Sequence, residues 1–386
     1  MSETYNFEAI LEGIRRINRI GPDEFLALHT PVFQGSEREY VLATIESTFV
    51  SSVGAFVNQF EEMMGQITGT KRAVACVNGT AALEVALSLA GINRGDLVLT
   101  QAISFVATAN AVRHAGAEPV FLDIDADTLG LSPDALLDFL QTQAEKTTQG
   151  LRHRQSGRRL AACLPMHTFG LPCRLEEIIG ICHDWDLPLV EDAAEALGSC
   201  YQGKPCGSFG LLSCFSFNGN KICTTGGGGA IVTNDEEFGK RAKHLTTTAK
   251  QPHPWKFFHD HTAWNFRMPN INAALGCAQL ERLPEFLNDK RKLHSDYQKL
   301  FSDSPWQVVD ELSGCQSNYW LNAVLLSNKE ERDAFLAYSN ARQVQIRPVW
   351  EPMPTLPMYE NSLCGPLDNA LAVADKLVNI PSGVRA

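Results

Sequence analysis

The chain has 386 residues, 44% of them hydrophobic and 20% charged, with a formal net charge of −11. That is enough chain for a large core and a second, smaller one, in a composition ordinary for a globular protein. The acidic balance argues against broad nucleic-acid or anionic-membrane binding, which needs a basic surface.

The one basic run, "RHRQSGRR" at 152–159, reads as a solvated loop. Eleven cysteines form no C-x-x-C pair, and most, such as Cys163 and Cys214, sit in apolar segments. This is the usage of a reducing compartment rather than of a disulfide scaffold. The first residues carry acids and no long apolar run, and nothing approaches the roughly 18 apolar residues of a membrane span. A cytoplasmic protein is expected.

Residues 6–19 carry Phe7, Ile10, Leu11, Ile14 and Ile17 at helical spacing, so 1–35 is read as an N-terminal helical arm. From about residue 70 short apolar runs follow one another. Strands are expected at 73–77, 97–100, 119–124, 160–167, 187–192, 211–217 and 229–235, with helices at 81–90, 104–115 and 174–185 between them. Such alternation predicts an α/β fold with a mainly parallel seven-stranded sheet, in a large domain spanning 36–255. Beyond it comes an aromatic- and proline-rich loop at 250–270, a helical stretch at 271–301 and a mixed end, read as a smaller α/β domain over 256–386.

Ligands of such sheets bind beyond the carboxyl ends of the strands. The first strand runs into "VNGTAAL", where Thr80 takes the N-cap position and leading N–H groups could meet an anion, although any strand-to-helix turn favours Asn-Gly-Thr. Phe105, after the second strand, is either a core aromatic or a stacking surface. His167 ends the "LAACLPMH" strand and is either structural or a ligand. Glu191, Asp192 and Glu195 crowd the next strand end, which is expensive unless cations or proton donors meet them.

The stretch "SFNGNKICTTGGGG", 216–229, then sets Lys221 beside four glycines. The order is wrong for a Walker loop, in which the glycines come before the lysine. Taken together, Thr80, Phe105, Asp192, Ser216 and Lys221 suit a flat heteroaromatic phosphate. Pyridoxal 5′-phosphate (PLP) needs a lysine to hold it and a carboxylate to keep its ring nitrogen protonated. No metal is required. "HPWKFFHDH", with His253, His259 and His261, fits no strong zinc spacing and is read as a boundary loop.

The segments "FVNQFEEMMGQITGTKRAVACVNGTAALEVAL", "SFVATANAVRHAGAEPVFLDID", "LPLVEDAAEALGS", "SCFSFNGNKICTTGGGGAIVTND" and "WNFRMPNINAALG" resemble the DegT/DnrJ/EryC1/StrS family of nucleotide-sugar aminotransferases. The likeness runs from about 50 to 280 in family order and implies the fold-type I, aspartate aminotransferase-like architecture. It implies that Lys221 is the Schiff-base lysine and Asp192 the partner of the ring nitrogen. Thr80, Ala81 and Ser216 are implied as phosphate ligands, and Phe105 as the stacking aromatic. Glu195 stands where many members have glutamine near the cofactor's phenolic oxygen.

Asn265 matches a residue that reaches the neighbouring subunit's cofactor phosphate, so a homodimer with shared sites is implied. Arg267 is a candidate for the donor carboxylate, and His167 and Tyr319 are candidates for substrate contact. By family habit the donor is L-glutamate, and Lys221, once displaced, carries the proton. "ESTFVSSVGAFVNQFE" and "TLGLSPDAL" are most similar to the branch aminating C4 of UDP-linked 4-keto-6-deoxy-N-acetylhexosamines for bacterial surface glycans. A sugar dehydratase on the same fold is a rival, but such members carry histidine in place of the lysine. A non-catalytic PLP-binding regulator is a second rival, unsupported by any appended module.

Overall fold

The computed structural model describes residues 7–385. Helix α1 (Phe7–Ile17) buries Ile10, Leu11 and Ile14. They meet Leu293, Tyr297, Phe301 and Phe335, so the arm lies on the C-terminal part of the chain. Its end is pinned by the Arg15 guanidinium, which donates to the carbonyls of Gly21 (2.6 Å), Glu24 (2.7 Å) and Arg342 (2.7 Å).

Helices α2 (Glu37–Glu46) and α3 (Ala55–Thr68) precede the sheet. The chain then alternates through β1 (Arg72–Cys76), α4 (Gly79–Leu89), β2 (Leu97–Gln101), α5 (Val106–His114), β3 (Glu118–Leu122), α6 (Pro133–Gln143), β4 (Leu160–Leu164), α7 (Leu175–Asp184), β5 (Val190–Asp192), β6 (Leu212–Ser216), β7 (Gly229–Thr233) and α8 (Glu236–Thr246). These strands lie in the order β1-β7-β6-β5-β4-β2-β3, the halves being joined by bridges Cys163↔Leu189 and Met166↔Asp192. Only β7 runs against its neighbours. Strands β2, β4 and β5 are buried along their whole length, as expected of a sheet covered by helices on both faces.

The solvated loop expected over 152–159 is an exposed turn at 154–157, tied down on both sides. Gly150–His153 pairs with Ala144–Thr147 in a hairpin. Arg158 Nε donates to Gly95 O (2.7 Å) and Arg159 Nη2 to Gly91 O (3.0 Å), so two basic side chains tie the hairpin's return to the loop before β2.

The helix expected over 271–301 is two helices, α9 (Asn270–Glu281) and α10 (Leu283–Phe301). Pro284 cannot donate the next intrahelical bond, so the chain restarts at Arg282. Helix α9 packs with α3, sharing a core with Phe60, Phe215 and Phe217, while α10 continues to the C-terminal layer. That layer holds an antiparallel sheet ordered β8-β9-β11-β10, formed by β8 (Gln307–Val308), β9 (Asn322–Leu325), β10 (Arg347–Pro348) and β11 (Leu377–Ile380). No helix among the described residues is long and apolar enough to cross a membrane.

Candidate active site

A cavity of about 310 Å³ opens at the carboxyl edge of the parallel strands. Lys221 enters it from the turn after β6, where its N–H donates to Asn218 O (3.0 Å). Its side chain is 10% exposed, and Nζ lies 3.0 Å from Glu195 Oε1. The same ammonium sits 3.8 Å from the ring centre of Trp320, a cation–π distance. The other Glu195 oxygen accepts the Phe169 N–H (2.9 Å). Burial pushes the Glu195 carboxyl above its usual range, and Lys221 works against that rise.

Asp192 ends β5 and is 1% exposed. Thr108 Oγ1 donates to its Oδ2 (2.7 Å) and the Ala194 N–H to its Oδ1 (3.1 Å). Burial raises its pKa against both bonds, so the carboxylate favours a cationic partner in the cavity. Its neighbour Glu191 takes the opposite course. Burial works against its charge, yet the His167 ring and the N–H groups of Gly207, Phe209 and Gly210 hold its carboxyl below the usual range. Glu191 thus ties down the 207–210 turn, while Asp192 and Glu195 face the cavity.

One end of the cavity is built by α4. Asn78, not Thr80, is the N-cap, its Oδ1 accepting the Ala81 N–H (2.8 Å). Gly79 and Thr80 line the cavity at the first turn, where leading N–H groups lack intrahelical partners. The fit here is close: a Cβ on Gly79 would stand 2.9 Å from the Ser216 Cβ. The glycine run serves the same packing, since a Cβ on Gly229 would stand 2.4 Å from the Asn78 carbonyl carbon. Gly227 and Gly228 line the wall. The glycines therefore seat β7 against the α4 turn and are not a phosphate cradle of Walker type.

The aromatic wall is Phe105, 49% exposed, with Trp350 6.1 Å away between ring centres.

Of the candidates named from sequence, Lys221, Asp192, Glu195, Thr80, Ser216 and Phe105 line one cavity. The others do not. Ala81 has its N–H engaged by Asn78. His167 is fully buried behind the wall, bonded to Glu191 Oε2 (3.1 Å) and accepting the Cys173 N–H (3.2 Å). Tyr319 turns away, its OH donating to Asp310 (2.8 Å) and its ring stacked 3.7 Å from that of His294, while its neighbour Trp320 faces the cavity. Asn265 and Arg267 bond each other, Nε to Oδ1 (2.8 Å), outside this chain's own cavity.

Thr108, Trp320 and Trp350 were missed. Thr108 lies three residues after Phe105 on the same helix face, which was a usable signal. The tryptophans come from a region with no periodic motif.

A cavity lined by a lysine, a buried carboxylate and the first turn of a helix suits PLP, and the protein is a PLP-dependent aminotransferase of fold type I. It matches the DegT/DnrJ/EryC1/StrS aminotransferase family over residues 32–385 and belongs to that family. Its relatives include the GDP-perosamine synthase of Escherichia coli O157:H7, 35% identical over 336 residues, covering 87% of each chain. Among solved structures, the aminotransferase TlmJ from Streptoalloteichus hindustanus is 27% identical, covering 93% of this chain and 94% of its own, with a TM-score of 0.84. Helicobacter pylori PseC, an aminotransferase involved in the biosynthesis of pseudoaminic acid, is 25% identical at a TM-score of 0.83, covering 93% and 94%. The chain is accordingly a nucleotide-sugar aminotransferase.

Proposed function

We propose that this enzyme moves the amino group of an amino acid, L-glutamate by preference, to the C4 ketone of a nucleoside-diphosphate-linked 4-keto-6-deoxyhexose. The observation that carries this reading is the placement of Lys221 Nζ and the Asp192 carboxylate in one aromatic-walled cavity. PLP, when bound, supplies a carbonyl that takes up the amino group and a ring that withdraws electrons from the carbon being deprotonated.

The chain's own residues do the rest. Asp192, held by Thr108 and the Ala194 N–H, keeps positive charge favourable at the ring end of the cavity. Gly79, Thr80 and Ser216 take the phosphate. Among the described residues Lys221 Nζ is the one amine lining the cavity, and it removes and returns the proton at the amine-bearing carbon. Glu195 steadies that amine, and Phe105, Trp320 and Trp350 keep water from it.

Two sugar classes are in play. The segments at 46–61 and 128–136 favour a UDP-linked N-acetylhexosamine, whose product would feed surface glycans such as lipopolysaccharide. The GDP-perosamine synthases among the relatives favour a GDP-linked hexose. Turnover of each 4-keto nucleotide sugar with L-glutamate, read as 2-oxoglutarate release and product mass, tests the proposal. Absence of amino transfer to every 4-keto sugar offered overturns it.

The enzyme is proposed to work in the cytoplasm as a homodimer with shared sites. All eleven cysteines are free thiols, which supports the compartment. Phe33, Leu42, Ile45, Phe49, Val50 and Val53 are large, exposed and apolar on α2 and the segments flanking it, which supports a covered face.

A further inference from the structure

The loop after α8 brings together three side chains that sequence spacing did not connect. His253 and His259 are engaged elsewhere: His253 Nδ1 accepts the N–H groups of Trp255 (3.2 Å) and Lys256 (3.0 Å), and His259 Nδ1 donates to Thr248 O (2.7 Å). His261 instead meets His244, which lies in the last turn of α8, seventeen residues earlier in the chain. Between them stands Asp260, whose Oδ1 is 2.7 Å from His244 Nε2 and 3.0 Å from His261 Nδ1. One ligand atom from each residue lies within 4.8 Å of the other two.

We propose that His244, Asp260 and His261 form a binding site for a divalent transition metal of the zinc class, which fastens the 250–262 loop to the end of α8. Two imidazoles and a carboxylate are ligands for such ions rather than for calcium or magnesium. Ligand atoms around a tetrahedral zinc stand about 3.3 Å apart, so the two rings draw together while the Asp260 oxygen, 2.7 and 3.0 Å from their nitrogens, eases outward. The second Asp260 oxygen accepts the Gln251 amide, the outer hydrogen bond that orients a metal-binding carboxylate. His244 also lies at the negative end of the α8 dipole, which favours a cation.

A cavity of about 260 Å³ borders the group, lined by both His244 and His261, and leaves room for a water or small anion as fourth ligand. Arg241 lines it too. Its charge opposes a cation held by charge alone, so the imidazole nitrogens must carry the affinity.

The consequence is local order. Asp260 N–H donates to Ala249 O (3.2 Å), and Thr247 bridges Asn265, so a metal here would clamp the base of the segment that carries Asn265. A bare His–Asp–His hydrogen-bonded trio is the alternative, and it needs no ion.

The test uses tag-free, full-length holoenzyme stripped with chelator and titrated with cobalt(II) chloride. Uptake of one equivalent per chain, with the visible bands of a tetrahedral site and displacement by zinc, is expected. His261→Ala, a change at an exposed side chain, should weaken that uptake at least about tenfold while leaving the circular dichroism melt of the metal-free protein unchanged. His244→Ala should do the same, and zinc should slow proteolytic nicking of the loop in the parent protein only. Failure of the parent to take up cobalt, or equal uptake by His261→Ala, overturns the proposal.

Discussion

The ammonium of Lys221 is clamped between the Glu195 carboxylate, 3.0 Å away, and the face of Trp320, 3.8 Å away. Both partners contact it at the mouth of a buried edge. The pair is thus ready-made before any cofactor is added, and removing either member exposes a different cost.

Replacing Lys221 with alanine should abolish amino transfer together with the visible absorbance of the covalent lysine–cofactor linkage. The fold should survive, because Nζ lines a cavity and does not support the core. Absorbance spectra of parent and variant with added PLP check this, and an unchanged spectrum would remove the lysine from its assigned role.

Glu195→Leu should cost the cofactor-free protein roughly 3 kcal/mol, since a nearly buried ammonium loses its counter-charge. Glu195→Gln should cost less, because an amide oxygen can still accept the Phe169 N–H. Urea unfolding of the three apo proteins provides the ranking.

Asp192→Asn should lower turnover about 10- to 1000-fold, the range set by losing an opposite charge worth 1–3 pKa units at the cofactor ring. Thr108→Val removes the 2.7 Å bond to the same carboxylate and should weaken cofactor retention about tenfold. Equilibrium dialysis of PLP against both variants separates the two effects, as Asn keeps the hydrogen bond and Val keeps the charge.

Much of this site lay open in the sequence because the strands of the large sheet announce themselves. Apolar runs end where Asp192 and Ser216 stand, and strand ends are where such folds place ligands. Asn-Gly-Thr offers two capping side chains, and only packing against Ser216 and Gly229 selects Asn78 over Thr80. Tyr319 and Trp320 are adjacent, so no spacing argument could say which faces inward. The left-handed backbone at Tyr319 (φ 43°) and its bond to Asp310 decide it. The trio of His244, Asp260 and His261 joins a helix end to a loop, and such closure leaves no periodic trace.

Lys290 is fully buried in α10, its ammonium donating to the carbonyls of Trp320 and Ser382. Burial lowers its pKa from the ordinary 10.5 to about 7. Between those values the unfolded chain holds a proton that the folded chain has released, so stability rises with pH across that window. Below about 7 both states are protonated and the dependence vanishes. The slope should approach about 1.4 kcal/mol per pH unit, and Lys290→Met should lack it. Denaturation midpoints of both proteins from pH 6 to about 10 measure the difference, and parallel curves would contradict the assignment.

Asn265 is exposed and bonded to Arg267, away from the cavity of its own chain. If it serves the site of a second copy, Lys221→Ala and Asn265→Ala are each inactive or impaired for different halves of one shared site. Mixing them under exchange conditions creates heterodimers in which one site has an intact Lys221 from one chain and an intact Asn265 from the other. With random exchange half the dimers are mixed and each regains one of two sites, so activity should return to about a quarter of the parent's. Ile45→Glu in both chains places charge on the exposed apolar face and should block that recovery by keeping the subunits apart. Light scattering on the same samples ties the activity to the dimer. Mixed samples that stay at the level of their components would show that each site is built from one chain.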